Sequence, residues 1–217
     1  MLLLAIASLV WSAGEMSRDN ADVGQPQGWE TLVRPWWQPR PDEVPAILPI
    51  VAPIVRGPTI AITLVGVHVY RDGAELRVER RMRRAGETDA EWHDLVRLFM
   101  ETPETPAGPG GVGGLEYGIT AHGQGEIIAD SLFRSRGDVR VEPTALSVMR
   151  TRRTGTGGDL WFGHSDEGLW LWPLPAVDHL RLSARWPAFA VEEASIEIDA
   201  SRFGELAAHS ESLWSRR

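Results

Sequence analysis

The chain contains no cysteine and no lysine; all 22 of its basic residues are arginine, set against 30 acidic residues for a net charge of −8. Each absence excludes a chemistry. Without thiols there is no disulfide, no thiolate nucleophile and no Cys-ligated zinc. Without lysine there is no Schiff base and no P-loop cation. An acidic chain also lacks the basic footprint with which proteins track nucleic-acid phosphates, so no nucleic-acid partner is expected. No G-x-S-x-G elbow occurs. The six histidines (His68, His93, His122, His164, His179 and His209) show neither the His-x-His nor the His-x-x-x-His spacing of a metal site. The glycine-rich stretches 110–114 and 155–158 lack the strand–loop–helix setting of a phosphate cradle and read as flexible connections. The expectation is therefore no cofactor, no metal and no catalytic residue identified by motif.

Long apolar runs are also scarce. Leu2–Val10 has the length of a signal h-region but no positive residue before it, and it is far too short to span a bilayer. An export or anchor signal, a truncated upstream reading frame and a short N-terminal helix all stay open. A cytoplasmic setting is expected, with an exported or anchored protein as the alternative.

What the chain does have is 43% hydrophobic residues, ten of them tryptophan. Residues 14–58 carry eight prolines, which forbid a regular helix and favour an extended strap. Residues 1–43 read as leader and Pro-rich tail, and 44–214 as a single β-rich globular domain. In that domain Asp72-Gly73 predicts a type I′ hairpin between Thr59–Tyr70 and Ala74–Arg84, pairing Val69 with Leu76 and Val67 with Val78. Thr88–Glu91 is a capping box ahead of Trp92, Leu95, Val96, Phe99 and Met100 at helical spacing. A second hairpin is expected from Leu115–Ala121 and Glu126–Ala129.

Further strands are expected at Val139–Met149, Leu160–Gly163, Gly168–Trp172, His179–Trp186 and Val191–Ile198. Loops fall at 102–114 and 151–159, and a helix runs over Ser201–Trp214. The fold class that follows is mostly β (α+β): an antiparallel β-sandwich-like domain with one inserted short helix and a C-terminal helix.

Three sets of residues are candidates for function. Trp170 and Trp172 share a strand face about 7 Å apart and, with Trp161, are candidate binding residues for a sugar or other small ligand. The alternative for Trp170 and Trp172 is a covered central strand, since Leu169 and Leu171 make the other face apolar too. His164-Ser165-Asp166 could supply a base and its orienter, or two metal ligands, but reads more simply as a solvated turn. Arg80-Arg81 and Arg83-Arg84 form the one dense basic run on the outer part of the first hairpin, open to an anionic partner but read more simply, with Glu75, Glu79 and Glu87 nearby, as a charge-balanced surface. Glu193, Glu197 and Asp199 line a solvated strand face.

The segments Leu169–Pro175 (L-W-L-W-P-L-P), Arg185–Ala188 (R-W-P-A), Glu193–Asp199 and Leu213-Trp214 follow the Gly155–Gly158 loop in that order. In this arrangement the chain resembles an actinobacterial family marked by a Gly-rich loop, a tryptophan-rich LWxWPLP run and a WPA strand end. The resemblance spans about residues 44–214 and implies a common fold unit in a cytoplasmic setting; it implies no reaction. The leading functional expectation is a non-catalytic protein-interaction module with an unidentified protein partner. The alternatives are a carbohydrate or small-ligand binder acting through Trp161, Trp170 and Trp172, and a hydrolase or metal enzyme around His164 and Asp166.

Overall fold

The structure, a computed structural model, describes residues 36–100, 114–121, 123–131, 142–156 and 162–214, with backbone only at 130–131 and 152–156. The expected leader, the loop at 102–113, Leu160 and Trp161 lie outside the described residues. Arg34–Arg217 forms one compact unit. It begins before residue 44 because Trp36 and Glu43 are already buried in it.

The strands in chain order are β1 (Glu43–Val44), β2 (Ala46–Leu48), β3 (Ala52–Arg56), β4 (Ile60–Val69) and β5 (Ala74–Arg83). Helix α1 (Asp89–Met100) precedes β6 (Glu116–Ala121), β7 (Ile127–Ile128), β8 (Asp130–Ser131), β9 (Ser147–Thr156) and β10 (Phe162–Trp172). Then come β11 (His179–Trp186), β12 (Val191–Asp199), α2 (Phe203–Ala208) and β13 (Glu211–Ser212). A large sheet runs β2-β4-β5-β10-β9-β8, with β3 also on β4, and a smaller one runs β12-β11-β6-β7; β1 and β13 form a separate pair. Among the described strands all pairings are antiparallel except β8 with β9. The fold is the mostly β, sandwich-like class expected. No helix among the described residues is long and apolar enough to cross a membrane.

The core forms where the inner faces of the two sheets meet. Ile62, Leu64, Val78, Leu169 and Leu171 from the large sheet cluster with Tyr117, Ile119, Leu180, Leu182 and Ile198 from the smaller one. Full burial of such side chains is worth roughly 1.5–3 kcal/mol each. Trp92 and Phe99 from α1 and Phe203 from α2 join the same cluster. The capping box forms as expected: the Thr88 amide and hydroxyl each donate to Glu91 at 2.8 Å. Those two bonds hold the Glu91 carboxyl below its usual range.

Several expectations are corrected. The β4–β5 hairpin pairs Val69 with Ala74 and Val67 with Leu76, and the Tyr70 amide donates to the Gly73 carbonyl. The turn is thus centred on Arg71-Asp72, one position earlier than a turn on Asp72-Gly73. A register shift between Leu64 and Gly66 then keeps Ile60, Ile62 and Leu64 on the same inner face as Val67 and Val69. Residues 151–156 are not a loop but the second half of β9, hydrogen-bonded along β10. The strand expected from Val139 begins only at Ser147; residues 139–141 lie outside the described set.

The two short strands expected around a His164–Asp166 turn are one continuous strand, β10, held between β5 and β9. At the C-terminus α2 stops at Ala208, short of the expected Trp214. The buried Ser210 hydroxyl donates to the Ala207 carbonyl at 2.8 Å, and the chain turns away to pair with β1.

The largest correction concerns Arg80, which is not part of a surface charge run. It is 1% exposed, facing inward between Val78 and Met82. Its guanidinium lies 2.7 Å from Glu167, itself 2% exposed, and donates to Ser165 Oγ at 3.2 Å and to the Phe99 carbonyl at 3.4 Å. The rings of Phe99 and Trp186 each sit 5.1 Å from it. Tyr117 closes the group: burial, and then the Glu167 charge, push its phenol well above the usual range.

Removing one partner of such a pair strands a buried charge, whereas apolar replacement of both partners does not. Glu167→Ala should therefore lose roughly 3–5 kcal/mol in urea unfolding. The Arg80→Met/Glu167→Leu double variant should recover most of that loss; equal losses in the single and double variants would contradict this assignment.

Candidate functional site

The inward aim of Arg80 and Glu167 sends their neighbours outward, because side chains alternate along a strand. Along β10 the outer face reads Phe162, His164, Asp166, Gly168, Trp170 and Trp172. Along β5 it reads Glu75, Arg77, Glu79, Arg81 and Arg83. This outer face brings together most of the candidate residues, and it divides into an aromatic half and a polar half.

In the aromatic half, Trp170 and Trp172 stack with ring centroids 6.3 Å apart, and Tyr70 meets Trp170 edge-on at 5.5 Å. Trp36 and Met149 complete the cluster, with Trp37 packed against it. The Trp170 indole N–H donates to the Trp36 carbonyl at 2.6 Å, which supplies the partner a buried indole needs. Stacking on a sugar requires an open ring face, but Trp170 is 0% exposed and Trp172 6%. The pair acts as a second core, roofed by the segment that carries Trp36 and Trp37. Trp161 lies outside the described residues. Trp186 lies on β11 of the smaller sheet, in the main core and stacked on Phe99 at 6.0 Å.

The seat of the Trp170 ring also explains Gly73. A Cβ at that position would overlap Cζ2 and Cη2 of Trp170 and approach the Leu171 carbonyl to 2.7 Å. Gly73 is therefore required by the close approach of a ring, and a left-handed turn residue is not the reason for it.

The polar half begins at Gly168, where a Cβ would overlap the Glu75 carboxylate and meet Thr151 Oγ1 at 2.6 Å. The missing side chain makes room for Glu75, which accepts from Thr151 at 2.8 Å and faces His68 at 3.7 Å and Arg77 at 3.6 Å. Farther along, Glu79 and Asp166 stand directly opposite each other in register. His164 Nε2 lies 3.6 Å from Asp166 Oδ1 and 3.9 Å from Glu79 Oε2. Arg81 donates to the same Glu79 oxygen at 2.6 Å. One ligand-type atom from each of Glu79, His164 and Asp166 lies within 4.8 Å of the other two.

The structure thus unites His164 with Asp166, as their spacing on a strand allows, and adds Glu79. Glu79 is not legible in the sequence, because a turn at 164–166 has no cross-strand partner. The available signal is alternation: H-S-D on one strand puts His164 and Asp166 on one face, and E-R-R on the other puts Glu79 and Arg81 on one face. Glu193, Glu197 and Asp199 remain on an exposed face, with Arg181 at 3.1 Å from Glu193.

Gly73→Ala should force the Trp170 ring out of its seat. The expected result is a loss of about 1–3 kcal/mol, typical of overpacking, together with a red shift in tryptophan emission. Unchanged stability and emission would show that the ring does not lie against Gly73. In comparisons with protein-family models, with curated proteins and with solved structures, nothing matches the chain.

Proposed function

We propose that the chain is a non-catalytic protein-interaction module, and that its contact surface is the apolar corner where β1 and β13 meet. The supporting observation is exposed apolar surface at this corner. Trp214 is 72% exposed and Leu213 51%, Val44 on the facing strand is 45% exposed, and Ile47, three residues after Val44, is 59% exposed. Val44 pairs with Glu211, and the Leu213 amide donates to the Asp42 carbonyl at 2.8 Å. These bonds hold the end of the chain against the start of the domain, so Leu213 and Trp214 stand beside Asp42–Val44.

Exposed tryptophan next to exposed aliphatic residues is the composition of interface hot spots, where desolvation of a few large side chains carries most of the affinity. The partner's matching surface is accordingly apolar at its centre.

A photo-crosslinking residue at position 47, compared with one at the solvent-facing position 193, tests the reading in the host cell. A discrete protein adduct from position 47 alone, abolished by Trp214→Glu, is the expected outcome. That variant should leave unfolding stability within about 0.5 kcal/mol of the parent, as surface changes usually do. Identical adduct patterns from positions 47 and 193, or no adduct at 47, would overturn the proposal.

A further inference from the structure

The juxtaposition of Glu79, His164 and Asp166 on the outer face of the large sheet has a charge problem. Glu79 and Asp166 are register partners on adjacent strands, an arrangement in which like charges repel. Arg81 lies close to Glu79 at 2.6 Å. Among the described side chains, His164 is the one that faces Asp166, and at 3.6 Å its Nε2 is beyond ordinary hydrogen-bond range. That nitrogen is also buried and has no hydrogen-bond partner, although the ring as a whole is partly exposed. A ring nitrogen thus turns away from water and toward two carboxylates without bonding either one.

We propose that Glu79, His164 and Asp166 bind a divalent first-row transition-metal ion. Three features of the geometry support this. First, a metal bonded to nitrogen and oxygen at about 2.0–2.2 Å brings its neighbouring ligand atoms to about 3.0–3.4 Å from one another. The His164 separations of 3.6 and 3.9 Å need a closure of a few tenths of an ångström to reach that range, and the two carboxylates, within 4.8 Å of each other, need a larger one. Second, all three ligands stand on the paired strands β5 and β10, where backbone hydrogen bonds limit their drift.

Third, Arg81 donates to Glu79 Oε2, the oxygen that faces His164, and so fixes that carboxylate beside the imidazole while a second lone pair of the same oxygen stays available to an ion. One imidazole with two carboxylates favours Zn2+ or Mn2+ over Ca2+, which seeks six to eight oxygens. Three protein ligands leave positions for water, so the ion would sit on the open half of the outer face with exchangeable sites. This site is independent of the apolar corner at β1 and β13.

The test uses the full chain, free of any purification tag and stripped with a chelator. Zn2+ is titrated calorimetrically, and Mn2+ is followed by electron paramagnetic resonance. The expected result is one ion per chain. Asp166→Asn and Glu79→Gln, which keep the side-chain shape, and His164→Ala should each weaken binding about tenfold or more, in line with losses known for metal-site partners. His93→Ala, at an exposed position on α1, should change nothing. Mn2+ should broaden the His164 ring resonances before those of His93. Absence of binding of both ions at millimolar concentration, or binding that survives all three site variants unchanged, would overturn the proposal.

Discussion

The buried pair of Arg80 and Glu167 constrains everything else in the molecule. Both charges have left water, and an isolated charge in that position would cost several kcal/mol. The guanidinium is therefore surrounded by Glu167, Ser165, the Phe99 carbonyl and two aromatic rings. These contacts come from β5, β10, the end of α1 and β11, so a single side chain ties both sheets to the helix. The pair also sets the phase of the two central strands. A slip of one residue in either would carry the charge to the surface and reverse every side chain on that strand. With Arg80 and Glu167 facing inward, Glu79, His164 and Asp166 have no face left but the outer one.

That outer face is used unevenly. At one end the segment carrying Trp36 and Trp37 covers Trp170 and Trp172 and satisfies an indole N–H through a backbone carbonyl. Gly73 and Gly168 make this possible by removing side chains where a ring and a carboxylate pass close to the backbone. At the other end the carboxylates and the imidazole remain accessible. The same strand thus supplies a closed core and an open polar cluster, separated by the short interval around Gly168.

Much of the fold was legible in the sequence because it rests on local signals. The capping box at Thr88, the strand His179–Trp186 and the alternation through Val191–Asp199 each depend on residues a few positions apart. The parts that were not legible depend on distant partners. Gly73 looks like a turn glycine until Trp170, far along the chain, is seen to need its space. Arg80 looks like surface charge until Glu167 arrives to neutralise it. His164-Ser165-Asp166 looks like a turn because polar residues favour turns. Only pairing with β5 and β9 on both sides holds them in a strand, with Ser165 buried against Arg80. Of the candidate site, the sequence carried the Trp170–Trp172 and His164–Asp166 spacings; it did not carry the roof over the first pair or the third member of the second.

The central claim is that β10 passes uninterrupted through residues 164–167 with alternating faces. The chain lacks cysteine, so a single introduced thiol reports its own position. The decisive measurement is the labelling rate of His164→Cys, Ser165→Cys and Asp166→Cys with a water-soluble thiol reagent under native conditions. The account predicts rapid labelling at 164 and 166 and strong protection at 165. Labelling at 165 as fast as at its two neighbours would show that this stretch is a solvated turn and would contradict the account.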